Sequence, residues 1–171
     1  MGFVPNSVLT MAHWPQLLQT FGAFAGTVLG PGGEVDAGLK QLIAFVVSNA
    51  SGCRYCQAHT SHTAERRGVG AAKIEAAFEF ETSELFSAAE RCALRVAARA
   101  GMVPNAVADT DMEQLAAHFT PRQIVEIVAV ISLFGYLNRW NDTMATTLEA
   151  SPQAFGAAHL AEHGWATGKH A

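Results

Sequence analysis

The stretch Cys53-Arg54-Tyr55-Cys56-Gln57-Ala58-His59, followed by Thr60, Ser61 and His62, holds the residue types of a dithiol redox site. Two thiols separated by two residues can close into a disulfide, and a nearby imidazole can manage the protons. On a helix Cys53 and Cys56 lie about 60° apart around the axis, which puts both sulfurs on one face. His59 follows at the same spacing and shares that face with Cys56. Proximity to His59 favours Cys56 as the nucleophile, with Cys53 resolving a sulfenic acid formed on it. The helix dipole argues the other way, because the first cysteine lies nearer the N-terminus. Zinc binding is a second reading, since Cys53, Cys56, His59 and His62 are suitable donors. His62, however, falls about 180° around the helix from Cys53. A third reading makes these ordinary buried cysteines beside a satisfied histidine.

Glu126 is the other candidate for chemistry. It interrupts an apolar helix, where a carboxylate needs a partner. Either it pairs with Arg122 one turn back, or it serves as a proton-relay carboxylate facing His59. Glu90 makes a weaker case of the same kind. Cys92 reads as a small core residue. His13, His118, His159, His163 and His170 read as surface or capping residues. The polar run Asn138-Arg139-Trp140-Asn141-Asp142 serves helix-to-helix hydrogen bonding or a pocket rim, and Phe45 or Trp140 could line that pocket.

The elements that must position these groups read as helical almost throughout. One helix runs from Pro15 to about Leu29, and a second from near Glu34 to the Asn49–Gly52 break. The third carries the cysteines and stops at Gly68. A short helix spans Ala71 to Phe80, and a longer one runs from Ser83 to Ala100. Another starts at Asp109 or Thr110 and ends at Phe119. The last begins at Pro121 after Thr120, and its apolar residues on nearly every side suit a buried or interface helix. The expected class is all-α, one domain over residues 1–171, with a core motif at 40–67 and a tail at 151–171. Phe155, Leu160 and Trp165 predict that this tail packs on something apolar.

Composition narrows the setting. Of 171 residues half are hydrophobic and 15% charged, with a net charge of −4. That excludes a disordered chain and leaves no basic footprint for nucleic acid. No run is long and apolar enough for a membrane span. Met1 to Thr10 lacks the pattern of a signal peptide. Three cysteines make no disulfide framework, so a reducing cytoplasm is the expected location. The low charge fraction points to apolar surface covered by partner subunits.

The stretch from Lys40 to Arg67, with Leu42-Ile43-Ala44 leading into Ser51-Gly52-Cys53 and on to Thr60, resembles the carboxymuconolactone decarboxylase family. It is closest to the branch of alkylhydroperoxidase D-like proteins. The resemblance extends loosely to the helices at 84–98 and 124–141. It implies an all-α fold, assembly as a trimer or hexamer, and reduction of peroxides through the CxxC, with no cofactor or metal. Cys56 then matches the peroxide-attacking cysteine and Cys53 the resolving one. Two positions depart from the family pattern. The family's histidine falls where this chain has Thr60, one residue beyond His59. The family's relay glutamate falls at Gln41, which cannot exchange a proton as a carboxylate does. The combined expectation is a peroxidase acting through Cys53, Cys56, His59 and Glu126. It takes a hydroperoxide and an external dithiol reductant. The alternative is a thiol-disulfide exchange or redox-sensing protein without efficient peroxidase activity.

Overall fold

A computed structural model describes residues 3–171; Met1 and Gly2, the start of the segment read for a leader, lie outside the described residues. The helices are α1 (Asn6–Met11), α2 (Pro15–Leu29), α3 (Ala37–Ala50), α4 (Arg54–Arg66), α5 (Ala71–Glu75), α6 (Ala88–Ala100), α7 (Asp109–Ala116), α8 (Pro121–Met144) and α9 (Ala150–His159). Short 3₁₀ turns follow α5 and α9, and no strand occurs among the described residues. The all-α expectation holds.

α3 is the hub. Gly38 through Ser48 are all buried, and the helix packs against α4, α6 and α8. A helix buried all round must be apolar all round, and Leu42, Ile43, Phe45, Val46 and Val47 make it so. α8 is the longest element at 24 residues, begun by Pro121 behind a Thr120–Gln123 capping box. Together α3 and α8 form the wall against which α4 is set.

Several ends match the sequence reading, and the exceptions have local causes. α2 runs from Pro15 to Leu29 as expected. α4 closes at Gly68, whose φ of 89° is the left-handed conformation glycine adopts freely. α3 starts at Ala37 instead of near Glu34, because Asp36 caps it by accepting the Leu39 N–H at 2.9 Å. α6 starts at Ala88, where Ser87 and Glu90 form a capping box. α7 ends at Ala116, short of Phe119. α1, which the sequence reading lacked, has no side-chain cap and is held by contacts with the far end of the chain.

The C-terminal segment is ordered, as its aromatic residues predicted. Phe155, Leu160 and Trp165 are buried. Trp165 donates its indole N–H to the Arg54 carbonyl at 3.0 Å. The Leu148 N–H donates to the His170 carbonyl at 2.8 Å. The tail is therefore lashed to the first turn of the cysteine-bearing helix.

Candidate dithiol active site

A three-residue turn joins α3 to α4. Gly52 at φ 74° supplies the reversal, and the Cys53 N–H donates to the Ser48 carbonyl at 3.1 Å. Cys53 is thereby fixed as the N-cap of α4, and its sulfur accepts the Cys56 N–H at 3.4 Å. Cysteine takes the place of the usual serine or aspartate at this position. Both cysteines are free and buried.

The two thiols are electrostatically unequal. The Cys56 thiol donates to the Cys53 sulfur, and this bond, helped by the backbone N–H groups of Cys56 and Tyr55, draws the Cys53 thiol below its ordinary range. Burial pushes the Cys56 thiol well up, and its donation to Cys53 adds to the effect. Cys53 is therefore the more acidic of the two thiols. This is the order that the helix dipole favoured in the sequence, and not the one that proximity to His59 favoured. The helix N-terminus and its N–H groups outweigh sequence proximity to His59. Asn141 of α8 donates its amide to the Cys56 sulfur at 3.5 Å.

His59 faces a different partner from the one expected. Its Nε2 shares a hydrogen bond of 2.5 Å with Glu149, the N-cap residue of α9. Among the described residues no hydrogen bond joins His59 to either sulfur. The ring stacks on Tyr55 with centroids 4.4 Å apart, and Phe3 meets it edge-on at 5.9 Å. Tyr55 donates its hydroxyl to Glu149 at 3.0 Å and accepts the Ser7 N–H at 3.3 Å. The Asn6 N–H also donates to Glu149. Burial pushes the Glu149 carboxyl up, but the bonds from His59 and Asn6 outweigh it and hold it below the usual range. Glu149 is thus an ionised carboxylate clamped to His59.

Glu126 does not face His59, and this corrects the sequence expectation. Its carboxylate forms a buried ion pair with Lys40, accepts the backbone N–H of Glu34 at 2.9 Å and of Val35 at 3.4 Å, and meets Arg122 at 3.5 Å. Burial raises its carboxyl, and the Lys40 and Glu34 bonds bring it below the usual range. Gly33 passes so close that an added Cβ would strike both charged groups. The pair pins the turn before α3 and does no visible chemistry. Glu90 is likewise spent, on its helix cap and on Lys73 at 2.7 Å.

His62 turns to Ser151 at 3.1 Å, so the four donors of the zinc reading do not converge. No His, Cys, Asp or Glu cluster suited to a metal occurs among the described residues. Cys92 is buried in α6, as read. Phe45 packs edge-on to Phe78 at 5.3 Å in the core, whereas Trp140 lines a cleft.

Sequence reasoning missed Glu149, Tyr55 and Asn141 as site residues. Glu149 lies just before the tail read from residue 151, and nothing in its own sequence neighbourhood singled it out. Asn141 lay within a polar run already singled out.

The carboxymuconolactone decarboxylase family profile matches residues 15–99. The uncharacterized protein YnjA of Escherichia coli (strain K12) is 28% identical over 143 residues, 81% of this chain and 79% of that protein. The apo structure of the debrominase Bmp8 is 38% identical with a TM-score of 0.85, over 90% of this chain and 82% of that one. A cysteine-to-alanine variant of Bmp8 in complex with 2,3,4-tribromopyrrole is 37% identical with a TM-score of 0.87, over 92% and 83%. A peroxidase-related protein of Ralstonia eutropha JMP134, an alkylhydroperoxidase AhpD core, is 26% identical with a TM-score of 0.73, over 83% and 75%.

Proposed function

This chain belongs to the carboxymuconolactone decarboxylase family, and we propose that it is a dithiol-dependent oxidoreductase that reduces alkyl hydroperoxides at Cys53 and Cys56. The observation that carries this reading is the pair of buried free thiols one helical turn apart at the start of α4, with the Cys53 sulfur accepting the Cys56 N–H. The Cys53 thiolate attacks the terminal peroxide oxygen, forming an S–O bond as the O–O bond breaks. The leaving alkoxide takes a proton relayed from the His59–Glu149 pair and departs as an alcohol. The Cys56 sulfur then attacks the Cys53 sulfenic acid, its proton leaves with the hydroxyl as water, and a disulfide remains. The substrate gains two electrons and the dithiol loses two. An external dithiol restores the reduced form.

A second substrate is favoured by the 37–38% identity to a debrominase. A thiolate that attacks a peroxide oxygen can attack a bromine on an electron-rich ring. The carbon takes a proton, and the second thiol displaces bromide to form the same disulfide.

Three free cysteines fit a reducing compartment such as the cytoplasm. The exposed apolar residues Leu9, Trp14, Phe24, Val125 and Val128 fit burial against further copies of the chain in a trimer or hexamer.

Rapid mixing of the reduced, metal-free protein with cumene hydroperoxide, and separately with 2,3,4-tribromopyrrole, tests the reading. Loss of two thiols per chain within seconds, with alcohol or bromide released in equal amount, supports it. Thiols that survive both reagents for minutes yet are lost quickly to oxidised dithiols replace it with thiol-disulfide exchange.

A further inference from the structure

α4 and α8 pack on each other, and their contact sets one polar side chain of α8 on a buried sulfur. Asn141 is 1% exposed and donates its amide N–H to Cys56 Sγ at 3.5 Å. Its amide oxygen is buried without a hydrogen-bond partner. A half-satisfied buried amide is costly, and a neutral thiol is too weak an acceptor to offset that cost. A thiolate is a much better acceptor, because the bond then becomes charge-assisted. The arrangement therefore favours the ionised form of Cys56 more than the neutral one.

Cys56 needs such help. Burial pushes its thiol well above the ordinary range, and the charges of Cys53 and of Asp142, next to Asn141 on α8, oppose its ionisation further. Asp142 is half-exposed and is met by Lys169 at 2.9 Å. The His59 ring is taken up by Glu149. Among the described residues, Asn141 alone brings a side-chain N–H or O–H to the Cys56 sulfur.

We propose that Asn141 is a catalytic residue of the resolving step, in which its amide holds the negative charge that forms on Cys56 as this sulfur attacks the Cys53 sulfenic acid. This rests on the dithiol reading above and deepens it. In that step the S–S bond forms and the S–O bond breaks. The hydroxyl leaves as water with the Cys56 proton, and the sulfenic sulfur gains the electrons that the Cys56 sulfur gives up. The amide is bonded to Cys56 and not to Cys53, so the first attack on peroxide does not depend on it. The consequence is protection of Cys53. A sulfenic acid left waiting meets a second hydroperoxide, which gives up an oxygen to it and departs as an alcohol, leaving a sulfinic acid.

Asn141→Leu keeps the volume and removes the donor. Quenched-flow mass spectrometry of the full chain with cumene hydroperoxide follows the two steps apart, the first as an added oxygen and the second as lost water. Sulfenic acid forms within about twofold of the wild-type rate, whereas closure of the disulfide slows about tenfold. In excess peroxide the variant accumulates Cys53 sulfinic acid where the wild type holds a disulfide. Asn138→Leu, one turn earlier on α8 with a buried amide that bonds to no sulfur, leaves both steps unchanged. Unchanged closure in folded Asn141→Leu overturns the proposal. Equal slowing of both steps, or the same effect from Asn138→Leu, also overturns it and leaves packing as the explanation.

A second measurement needs no peroxide. In a Cys53→Ser chain, alkylation of Cys56 by monobromobimane is followed against pH. Adding Asn141→Leu, or Asn141→Ala where the leucine variant does not fold, moves the midpoint up by about one pH unit. Asp142 is common to both chains and cancels from the comparison. An unmoved midpoint overturns the proposal. A wild type inert to peroxide loses the peroxidase reading, and the alkylation midpoint then decides the role of Asn141 by itself.

Discussion

Glu149 and His59 lie 90 residues apart in the chain and share a hydrogen bond of 2.5 Å. The family position for a relay carboxylate is occupied by Gln41, so the acid that orients the imidazole arrives from the start of α9 instead. Glu149→Gln keeps the shape but removes the charge that holds the ring. The expected outcome is an approximately 10²-fold slower oxidation of the thiols by cumene hydroperoxide, the usual size of a lost proton-transfer partner. Glu149→Asp recovers part of the rate. Stopped-flow thiol loss across pH checks both, and a rate unchanged in Glu149→Gln removes the dyad from the mechanism.

Glu126 is expected to matter for stability and not for rate. Replacing it with Gln leaves Lys40 buried without its counter-charge, which costs about 3–5 kcal/mol. For a chain of this length that is a fall of roughly 10 °C in the unfolding midpoint. The pH dependence follows from the depressed carboxyl. Because the folded group is more acidic than the unfolded one, the stabilisation is complete above the ordinary carboxylate range and is lost as pH falls through the folded value. The gap between wild type and Glu126→Gln therefore narrows in urea titrations as pH falls below the ordinary carboxylate range. Thiol oxidation at neutral pH stays within twofold of wild type in the folded variant.

The unequal thiols separate two orders of reaction. With Cys53 as the first nucleophile, Cys53→Ser abolishes rapid reaction with peroxide. Cys56→Ser still reacts, and its Cys53 sulfenic acid persists because nothing resolves it. Trapping with dimedone followed by peptide mass spectrometry locates the adduct. An adduct on Cys56 in the Cys53→Ser protein, formed at the wild-type rate, restores the order that proximity to His59 suggested.

These residues also show how far the linear chain could be read. Pro15, Pro121 and Gly68 mark helix ends by their own backbone chemistry, so α2, α4 and α8 were legible at those ends. Cys53 and Cys56 were legible as a pair because three residues of helix bring them together whatever surrounds them. The start of α3 was misplaced because the Glu34 and Val35 N–H groups go to Glu126, some 90 residues away, which leaves Asp36 to cap the helix. The role of Glu126 was misread for the same reason, since Lys40 is its partner only after α3 and α8 have packed. Glu149 could not be assigned to His59 without knowing that α9 folds back on α4.

That return of α9 depends on one close packing contact, which yields a final prediction. Gly156 lies under the Trp165 ring, and a Cβ added there would stand 2.8 Å from ring carbons. Trp165 cannot retreat freely, because its indole N–H is bonded to the Arg54 carbonyl in the first turn of α4. Gly156→Ala therefore pushes the ring off its seat and strains or breaks that bond, at about 1–3 kcal/mol. The loss acts locally on the tail before it acts on the whole fold, since the tail's contacts are fewer than those of α3. Limited proteolysis is expected to cleave the Gly156→Ala chain after residue 160 at conditions that leave the wild type intact. Because Glu149 enters the site on this same helix, peroxide-driven thiol loss should slow in parallel. Trp165→Phe separates the two contributions: it keeps much of the ring packing and loses only the bond to Arg54. If Trp165→Phe resists proteolysis while Gly156→Ala does not, packing holds the tail; if both are cleaved alike, the Arg54 hydrogen bond does.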